Sequence, residues 1–566
     1  MKCFANALFR WKRAFRFFLI ALSCASLLSG CMKRAPRADI VIINGGEPES
    51  VDPHVVTGQL DGRVASALFD GLLQFDPRTG DPVPGIAERY DLSPDGLVYT
   101  FHLRSNAMWS TGGPITAHDF VWSWQRVLSP ATAADYAGIL FYVRNAEAYC
   151  TGQTNAATGR RYAAEDVGVR ALDDRTLRVE LVAPTVFFPS LCAWRTLSVV
   201  PRAAIEKYGD RWVRAPGASF SGAFTLEFWR VNDRIRLRKN PRYWNAAEVK
   251  IETVDFLPHH DAAFCLNTFL SGDADIIFDK RRVPAQLLDV LRTNSYAHPF
   301  DYLCTFFYRY NVTKPPFNDP RVRKALAMAV DKRRIVERIT RAGEPPATHL
   351  TPPGIPGYEP PQGLGYDPEE ARKLLADAGY PGGKGFPVFR YLCQNSTQAG
   401  QIAVELREMW QNELGVRMEI QPLEWKVFLH EQSRTNYDLS YSSWIGDYKD
   451  PNTFLDLFMS NNGNNRTGWS DPRYDALMRE ANSQVDGKKR AELLRRAETI
   501  LVKDEAPIVP LYFEKGILFY RPEEIEGIYA NLIDEHPVHA LRRKSRTSKV
   551  EGRTQDARGR MSKIEH

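Results

Sequence analysis

The sequence predicts a mixed α/β (α+β) protein of several domains, and three observations carry that prediction. Its 566 residues, 44% of them hydrophobic, exceed the ~250–300 at which a single core stops growing, so roughly three to four domains are expected. Short runs with period-two alternation read as half-buried strands. Between them lie apolar positions at helical spacing, opened by Asp-Pro pairs and closed by glycine. There is no repeat at a fixed period, and 38 Gly, 37 Pro and 11% aromatic residues exclude collagen-like, coiled-coil and wholly disordered chains.

Taken in chain order, the first segment reads as an address. Lys2, Arg10, Lys12, Arg13 and Arg16 precede an apolar stretch at 17–28. At about twelve residues it is short of the ~20 that span a bilayer and fits the apolar region of a secretory signal. Leu28-Ser29-Gly30-Cys31 resembles the lipobox of bacterial lipoproteins. Residues 1–30 are therefore expected to be removed, Cys31 to carry lipid and 31–37 to form a tether, giving an exported protein anchored on the periplasmic side of a bacterial membrane. Residues 40–43 then read as a buried strand, and 98–103, 235–238 and 416–420 as half-buried ones. Asp319 and Pro320 open a helix with Val322, Ala325, Leu326 and Ala329 inward. The Pro/Gly-rich stretch 343–368 reads as a linker or loop. Asp367 then caps a second helix, with Pro368 in its first turn, Glu370 at capping-box spacing, Ala371, Leu374, Leu375 and Ala378 on one face and Gly379 at its end. From Arg542 onward nine basic residues meet three acids and few apolar side chains, so 542–566 is expected to be a disordered, solvated tail.

The net charge of +6 belongs to the two ends. Without residues 1–30 and 542–566, 60 basic residues face 65 acids, which is no nucleic-acid footprint. Past Cys31, Cys150, Cys192, Cys265, Cys304 and Cys393 are spaced by 39 or more residues. They form neither a dense disulfide framework nor a CxxC pair, and are expected to be small buried hydrophobes with one bridge at most. Catalytic signatures are missing. No GxSxG occurs, His430-Glu431 lacks the second histidine of a metalloprotease, and Gly382-Gly383-Lys384-Gly385 lacks the flanking residues of a phosphate loop and reads as a turn. His259 and His260 are adjacent, so on a strand they face opposite sides. A protein without enzymatic activity, metal or cofactor is expected.

Aromatic supply stands out instead, with 12 Trp and 23 Tyr. The run LFDGLLQFDPRTGDPVPGIAERYDLSPDGLVYTFHLRSNAMWS at 68–110, followed by TAHDFVWSW at 116–124, resembles the signature of solute-binding protein family 5, the oligopeptide-, dipeptide- and nickel-binding components of ABC importers. The likeness continues through Gly222-Ala223-Phe224, Asn240-Pro241-Arg242-Tyr243-Trp244, Lys314-Pro315-Pro316-Phe317-Asn318-Asp319, Glu424-Trp425-Lys426 and Ile508-Val509-Pro510-Leu511-Tyr512, and so covers nearly the whole mature chain. It is strongest toward the oligopeptide-binding branch.

The resemblance implies a two-lobed periplasmic-binding-protein-like fold. Lobe I would be discontinuous (38–70, 195–297 and 515–541), domain II an insert at 71–194 and lobe III 298–514, with hinge closure trapping an extended peptide by main-chain hydrogen bonds. Asp447, in Trp444-Ile445-Gly446-Asp447-Tyr448, is similar to the family's aspartate that receives the ligand's α-amino group. From the residues alone, it equally reads as the cap of a helix starting near Pro451. Tyr136 matches a tyrosine near the peptide backbone, and Trp425 and Trp444 match pocket-wall aromatics that are otherwise core residues. Thr57, Gly58 and Gln59 match the segment that pairs with ligand as a strand, and Tyr448 and Tyr512 or Phe513 would line the same cleft. Where the branch has basic residues for the peptide carboxylate, this chain has Tyr441, Gln432 and Ala399. Either Arg434, Lys426 or Lys314 then takes that role, or the carboxylate stays in water, or the ligand is not a plain short peptide.

The expected function is that of a lipid-anchored monomer that captures peptides with a free N-terminus and delivers them to an ABC permease. Two alternatives stand beside it: the same fold holding another solute such as a nickel chelate, haem or an amino sugar, and a surface lipoprotein acting as adhesin or signalling partner.

Overall fold

Residues 36–544, apart from 461, are described by a computed structural model. The segment expected to be a signal, Cys31, most of the expected tether and the residues beyond Lys544 lie outside the described residues. No helix among the described residues is long and apolar enough to cross a membrane.

Ten strands make the largest sheet: β1 (Ile40–Ile43), β2 (Phe224–Arg230), β3 (Arg234–Lys239), β4 (Thr253–Leu257), β5 (Ile276–Ile277), β6 (Ala297–Tyr310), β7 (Phe389–Gln394), β8 (Met418–Leu423), β9 (Leu439–Ile445) and β10 (Ile508–Phe519). Their spatial order is β8-β7-β9-β6-β10-β5-β1-β4-β3-β2. The all-apolar run Ile40–Ile43 is buried throughout because β1 lies inside the sheet, parallel to both β4 and β5. The two long strands β6 and β10 cross the middle of the sheet. Phe300, Tyr302 and Cys304 of β6 pack into a core with Ile40, Trp212 and Phe256, while Tyr308 and Tyr310 pack into a core with Leu326, Tyr391 and Trp410. β10 divides in the same way, with Leu518 in the first core and Val509, Leu511 and Tyr512 in the second. The β6–β10 ladder is interrupted between Asp301 and Thr305. Two halves thus share one sheet through a pair of strands whose pairing is broken at the crossing, a two-lobed α/β arrangement.

A separate antiparallel sheet is built from Ala87–Leu92, Val98–Leu103, Thr176–Glu180 and Val169–Asp173, in that order. The helix Ala117–Leu128 supplies Phe120, Trp124, Val127 and Leu128 to its core. That helix starts where Thr116 and Asp119 form a capping box, with Thr116 N donating to Asp119 Oδ2 at 2.8 Å.

Local signals located most elements. Helix Pro320–Met328 is capped by Asp319, and helix Pro368–Asp377 by Asp367, whose side chain accepts from Glu370 N. Elsewhere the structure differs. The strand expected at 416–420 begins at Met418, because Gly415 ends the helix Thr397–Leu414 in the left-handed region (φ 69) and Val416 and Arg417 complete the reversal. The stretch 343–368 is a loop but no linker: Ala347, Leu350, Ile355 and Tyr358 are buried. Its backbone is held by Glu498, which accepts from Leu350 N at 2.8 Å and Thr351 N at 2.7 Å, and by Lys332, which donates to Ala347 O at 2.8 Å. Buried loop backbone needs such partners in place of water. The expected tail begins too early, since Arg542–Arg543 pair with Ile525–Glu526 and Arg543 bonds Asp275 at 2.6 Å. His259 and His260 follow the end of β4 and are not on a strand. Cys150, Cys192, Cys265, Cys304 and Cys393 are all free, and the last four are buried.

Candidate functional site

The end of β9 builds the site. Tyr441, Ser443 and Ile445 alternate with Ser442 and Trp444 along the strand, and cross-strand pairing puts Tyr308, Phe306 and Cys304 of β6 opposite the first three. Ser443 and Ile445 are exposed, so this face is open at the edge where the strand ends. Gly446 N donates to Leu303 O at 2.7 Å, and Asp447 N donates to Thr453 Oγ1 at 3.2 Å. Asp447 does not cap the helix Asn452–Leu455: Pro451 stands at the cap position, and Asp450 just before it accepts from Asn452 N at 2.9 Å.

The Asp447 carboxylate is therefore not spent on capping that helix. Among the described residues it takes no hydrogen bond and no ion pair, and burial pushes its pKa up to about 7 against the pull of the Arg195 guanidinium. Arg195 is already engaged: its Nη2 donates to Glu535 Oε1 at 2.9 Å and its plane lies 4.1 Å from the Trp194 ring centroid. It packs so close to the helix Gln59–Leu68 that a Cβ at Gly62 would stand 2.5 Å from its Nε. Tyr136 completes the wall, 6.2 Å from Trp194 between ring centroids. The Asp447 charge, and burial after it, raise the Tyr136 hydroxyl above its ordinary pKa and keep it protonated.

Residues from the smaller sheet's region clamp the Asp447 segment. Tyr448 stacks on Phe187 at 4.7 Å and 11°. Lys449 reaches Asp81 at 2.5 Å and Thr79 O at 2.9 Å, and Asn452 donates to Tyr142 Oη at 3.3 Å. Arg490 fixes the following turn through Asp450 at 2.7 and 2.8 Å.

Of the residues singled out in the sequence, Asp447 and Tyr136 come together, and Trp444 stands beside them on the opposite face of β9. Its indole Nε1 is buried without an acceptor among the described residues. Gln59 lies nearby, donating to Tyr302 Oη at 2.7 Å and Asp534 Oδ2 at 3.2 Å, and shares with Arg195 a cavity of about 30 Å³, room for a water or two. It already belongs to the helix Gln59–Leu68, which leaves Thr57, exposed, and Gly58, extended, as the strand-like part of that segment. Tyr448 faces Phe187 and the core around it. Tyr441 is buried against Phe306 at 5.7 Å, and Phe513 against His349 at 4.9 Å. Trp425 is 51% exposed on the helix Trp425–Ser433 and stacks on Phe428 of the same helix. Gln432 and Ala399 are buried, and the Gln432 amide is used up on Ser440, Tyr441 O, Ser442 and Arg466. Lys314 bonds Tyr437 O at 3.2 Å and Asp438 at 3.4 Å. Sequence reasoning missed Trp194, Arg195 and Thr453. An Arg beside a Trp carries no local signal of the partner it will meet.

An α/β protein whose two halves share one sheet, and whose open edge holds an unpaired charge walled by aromatics, is of the solute-binding class. The family model for bacterial extracellular solute-binding proteins, family 5 (middle region), matches residues 81–466, and the chain belongs to that family. It is 36% identical over 516 residues to the periplasmic oligopeptide-binding protein OppA of Salmonella typhimurium, covering 89% of this chain and 92% of that protein. It is 33% identical over 499 residues to the probable deoxycholate-binding periplasmic protein YgiS of Escherichia coli, covering 86% and 90%. The crystal structure of Haemophilus influenzae OppA in complex with RPPGFSPFR superposes with a TM-score of 0.76 at 30% identity, over 90% of this chain and 99% of that one.

Proposed function

We propose that this protein captures peptides with a free N-terminus and delivers them to an ABC importer, from the periplasmic side and anchored by lipid on Cys31. Lobe I (38–70, 195–297, 515–541), domain II (71–194) and lobe III (298–514) would close over the ligand by bending β6 and β10 where their ladder is interrupted.

The observation that carries this reading is Asp447. A desolvated carboxylate with no partner is costly in the empty site and is relieved by a cation that supplies both charge and hydrogen bonds. An α-ammonium, with an ordinary pKa near 8, is such a cation at neutral pH. The exposed edge of Ser443 and Ile445 beside Asp447 offers the backbone groups an extended chain would pair with. The names of the relatives support the same class, since OppA of Salmonella typhimurium is described as oligopeptide-binding.

The test is calorimetric titration with a pool of tripeptides and the same pool N-acetylated. Peptide capture predicts that acetylation removes binding. Equal binding of both pools favours another solute, and the name of YgiS makes a bile acid the first to try, although its own carboxylate would meet Asp447 unfavourably.

A further inference from the structure

Arg236, Arg309, Arg323 and Arg490 are the buried arginines among the described residues. Three of them meet a carboxylate: Arg236 Nε bonds Asp255 at 2.6 Å, Arg323 Nη2 reaches Glu505 at 3.3 Å and Arg490 Nη1 bonds Asp450 at 2.7 Å. Arg309 is the exception. It stands on β6 at 6% exposure, and its guanidinium carbon lies 5.3 Å from the Phe307 ring centroid. Its Nε donates to Ser442 Oγ at 2.7 Å and its Nη1 to the Asn464 carbonyl at 3.0 Å, while Nη2 has no hydrogen-bond partner among the described residues. Neutral acceptors compensate only part of a buried charge.

The loop after Phe458 brings a second positive charge to the first. Asn465 pins that loop by donating to the carbonyls of Phe458, Met459 and Trp469 at 3.2, 3.2 and 2.9 Å. Arg466 comes next and is partly exposed, with Nη1 on Gln432 Oε1 at 3.1 Å and no carboxylate in reach among the described residues. Burial, with the Arg466 charge adding to it and Tyr437 opposing, pulls the Arg309 pKa down to about 10. Ser442 Oγ accepts from Arg309 and, at 3.1 Å, from Gln432 Nε2, and its own proton has no acceptor among the described residues. Ser442 alternates with Ser443 and Ile445 along β9, and Phe307 and Arg309 pair with Ser442 and Ser440. The cluster therefore lies on the sheet face opposite to the open edge beside Asp447.

We propose that Arg309, Arg466 and Ser442 form a site for a small inorganic anion, separate from the peptide cleft and independent of what that cleft holds. Such an anion gives this pair of guanidinium groups what Asp255, Glu505 and Asp450 give the other buried arginines. The donors it meets are the Nη2 groups of both arginines and the Ser442 hydroxyl, a charge-assisted set with no carboxylate beside it. Arg466, being partly exposed, leaves a way in from solvent. The bound anion ties the loop that carries Arg466 to β6 and β9, so its occupancy is read as thermal stability.

The experiment melts the full chain in sodium gluconate while chloride or inorganic phosphate replaces gluconate at constant ionic strength, for the wild type, Arg309→Met and Arg466→Gln. The proposal expects the wild-type melting temperature to rise and saturate with at least one of the two anions. Half-saturation is expected near ~1 mM, the scale of two charge-assisted hydrogen bonds. A response to chloride alone identifies a halide site, and a response to phosphate alone an oxyanion site. Arg466→Gln should need at least about tenfold more anion for the same rise, and Arg309→Met should lose the rise. Should Arg309→Met fail to fold, Arg466→Gln, at a partly exposed position, decides. A rise that does not saturate, or that Arg466→Gln retains unchanged, is a general salt effect and overturns the site. Calorimetric titration with a free-ended tripeptide pool, with and without saturating anion, is the second arm. Equal peptide affinity in both supports a separate site, whereas competition puts the anion in the ligand's own cleft and overturns this proposal while leaving peptide capture standing. Absence of peptide binding removes the peptide reading and leaves the anion result as it is.

Discussion

Arg195 acts on Asp447 by its charge alone: its Nη2 is bonded to Glu535 at 2.9 Å and its plane lies on Trp194, so the guanidinium that lowers the pKa of the half-buried carboxyl gives it, among the described residues, no hydrogen bond. That half-compensation is what a binding site for an ammonium requires. A full ion pair would have to be broken by each incoming ligand, whereas no compensation at all would drive the carboxyl fully neutral at working pH.

Replacing Asp447 with Asn keeps the shape and removes the charge. Peptide affinity is expected to fall at least about a hundredfold, since an unpaired buried ammonium costs roughly 3–5 kcal/mol. The melting transition is expected to stay close to the wild type because, among the described residues, the carboxylate makes no hydrogen bond. Calorimetric titration and differential scanning calorimetry on the same preparations check both halves of this expectation.

Binding should also depend on pH in a defined direction. In the empty protein the Asp447 pKa lies near 7, above its ordinary value, so below pH 7 the group holds a proton that an incoming ammonium must expel. Affinity is therefore greatest above pH 7 and falls as pH drops through it, by up to about tenfold per unit. Above pH ~8 the ligand's own amine begins to lose its charge. Titration at pH 6 in buffers of different ionisation enthalpy should reveal proton release, and Asp447→Asn should abolish it.

Gly62→Ala tests the position of Arg195. The added Cβ would lie 2.5 Å from Arg195 Nε, forcing the guanidinium to move at an overpacking cost of about 1–3 kcal/mol. Without that field the Asp447 pKa rises further and the pH profile of binding shifts to higher pH. A profile that stays in place while the stability drops would show that Arg195 does not act on Asp447.

Glu498 provides a contrast, since its raised pKa of about 7 belongs to a structural group. Burial raises it, and the bonds from Thr351, Tyr358 and Leu350 pull against that rise. Glu498→Ala strands two backbone donors and the Tyr358 hydroxyl, so a loss of roughly 3 kcal/mol or more is expected in urea denaturation. Peptide affinity, measured where the variant is fully folded, should change little.

Much of this architecture was legible locally. The caps at Asp319 and Asp367, the alternation at 98–103 and the apolar run at 40–43 are short-range signals, and the helices and strands stand where they point. The stretch 343–368 reads as a linker or loop from its Pro and Gly content, and that it is a buried loop depends on acceptors and donors brought from Glu498 and Lys332. Trp425 shows another limit, since the sequence does not tell that its ring stacks on Phe428 of its own helix and stays half-exposed.

The amino-acid order alone was enough to establish an α/β chain with its local caps and strand faces, while the resemblance pointed to Asp447. Only the folded arrangement decided that Asp447 is left without a hydrogen-bond partner among the described residues and that Arg195 is committed to Glu535. It alone showed Lys314 taken up by Tyr437 O and Asp438. The reason is physical: caps and alternation are set by residues a few positions apart, whereas the protonation and availability of a charge depend on what distant segments bring within a few ångströms of it and on how much water they exclude.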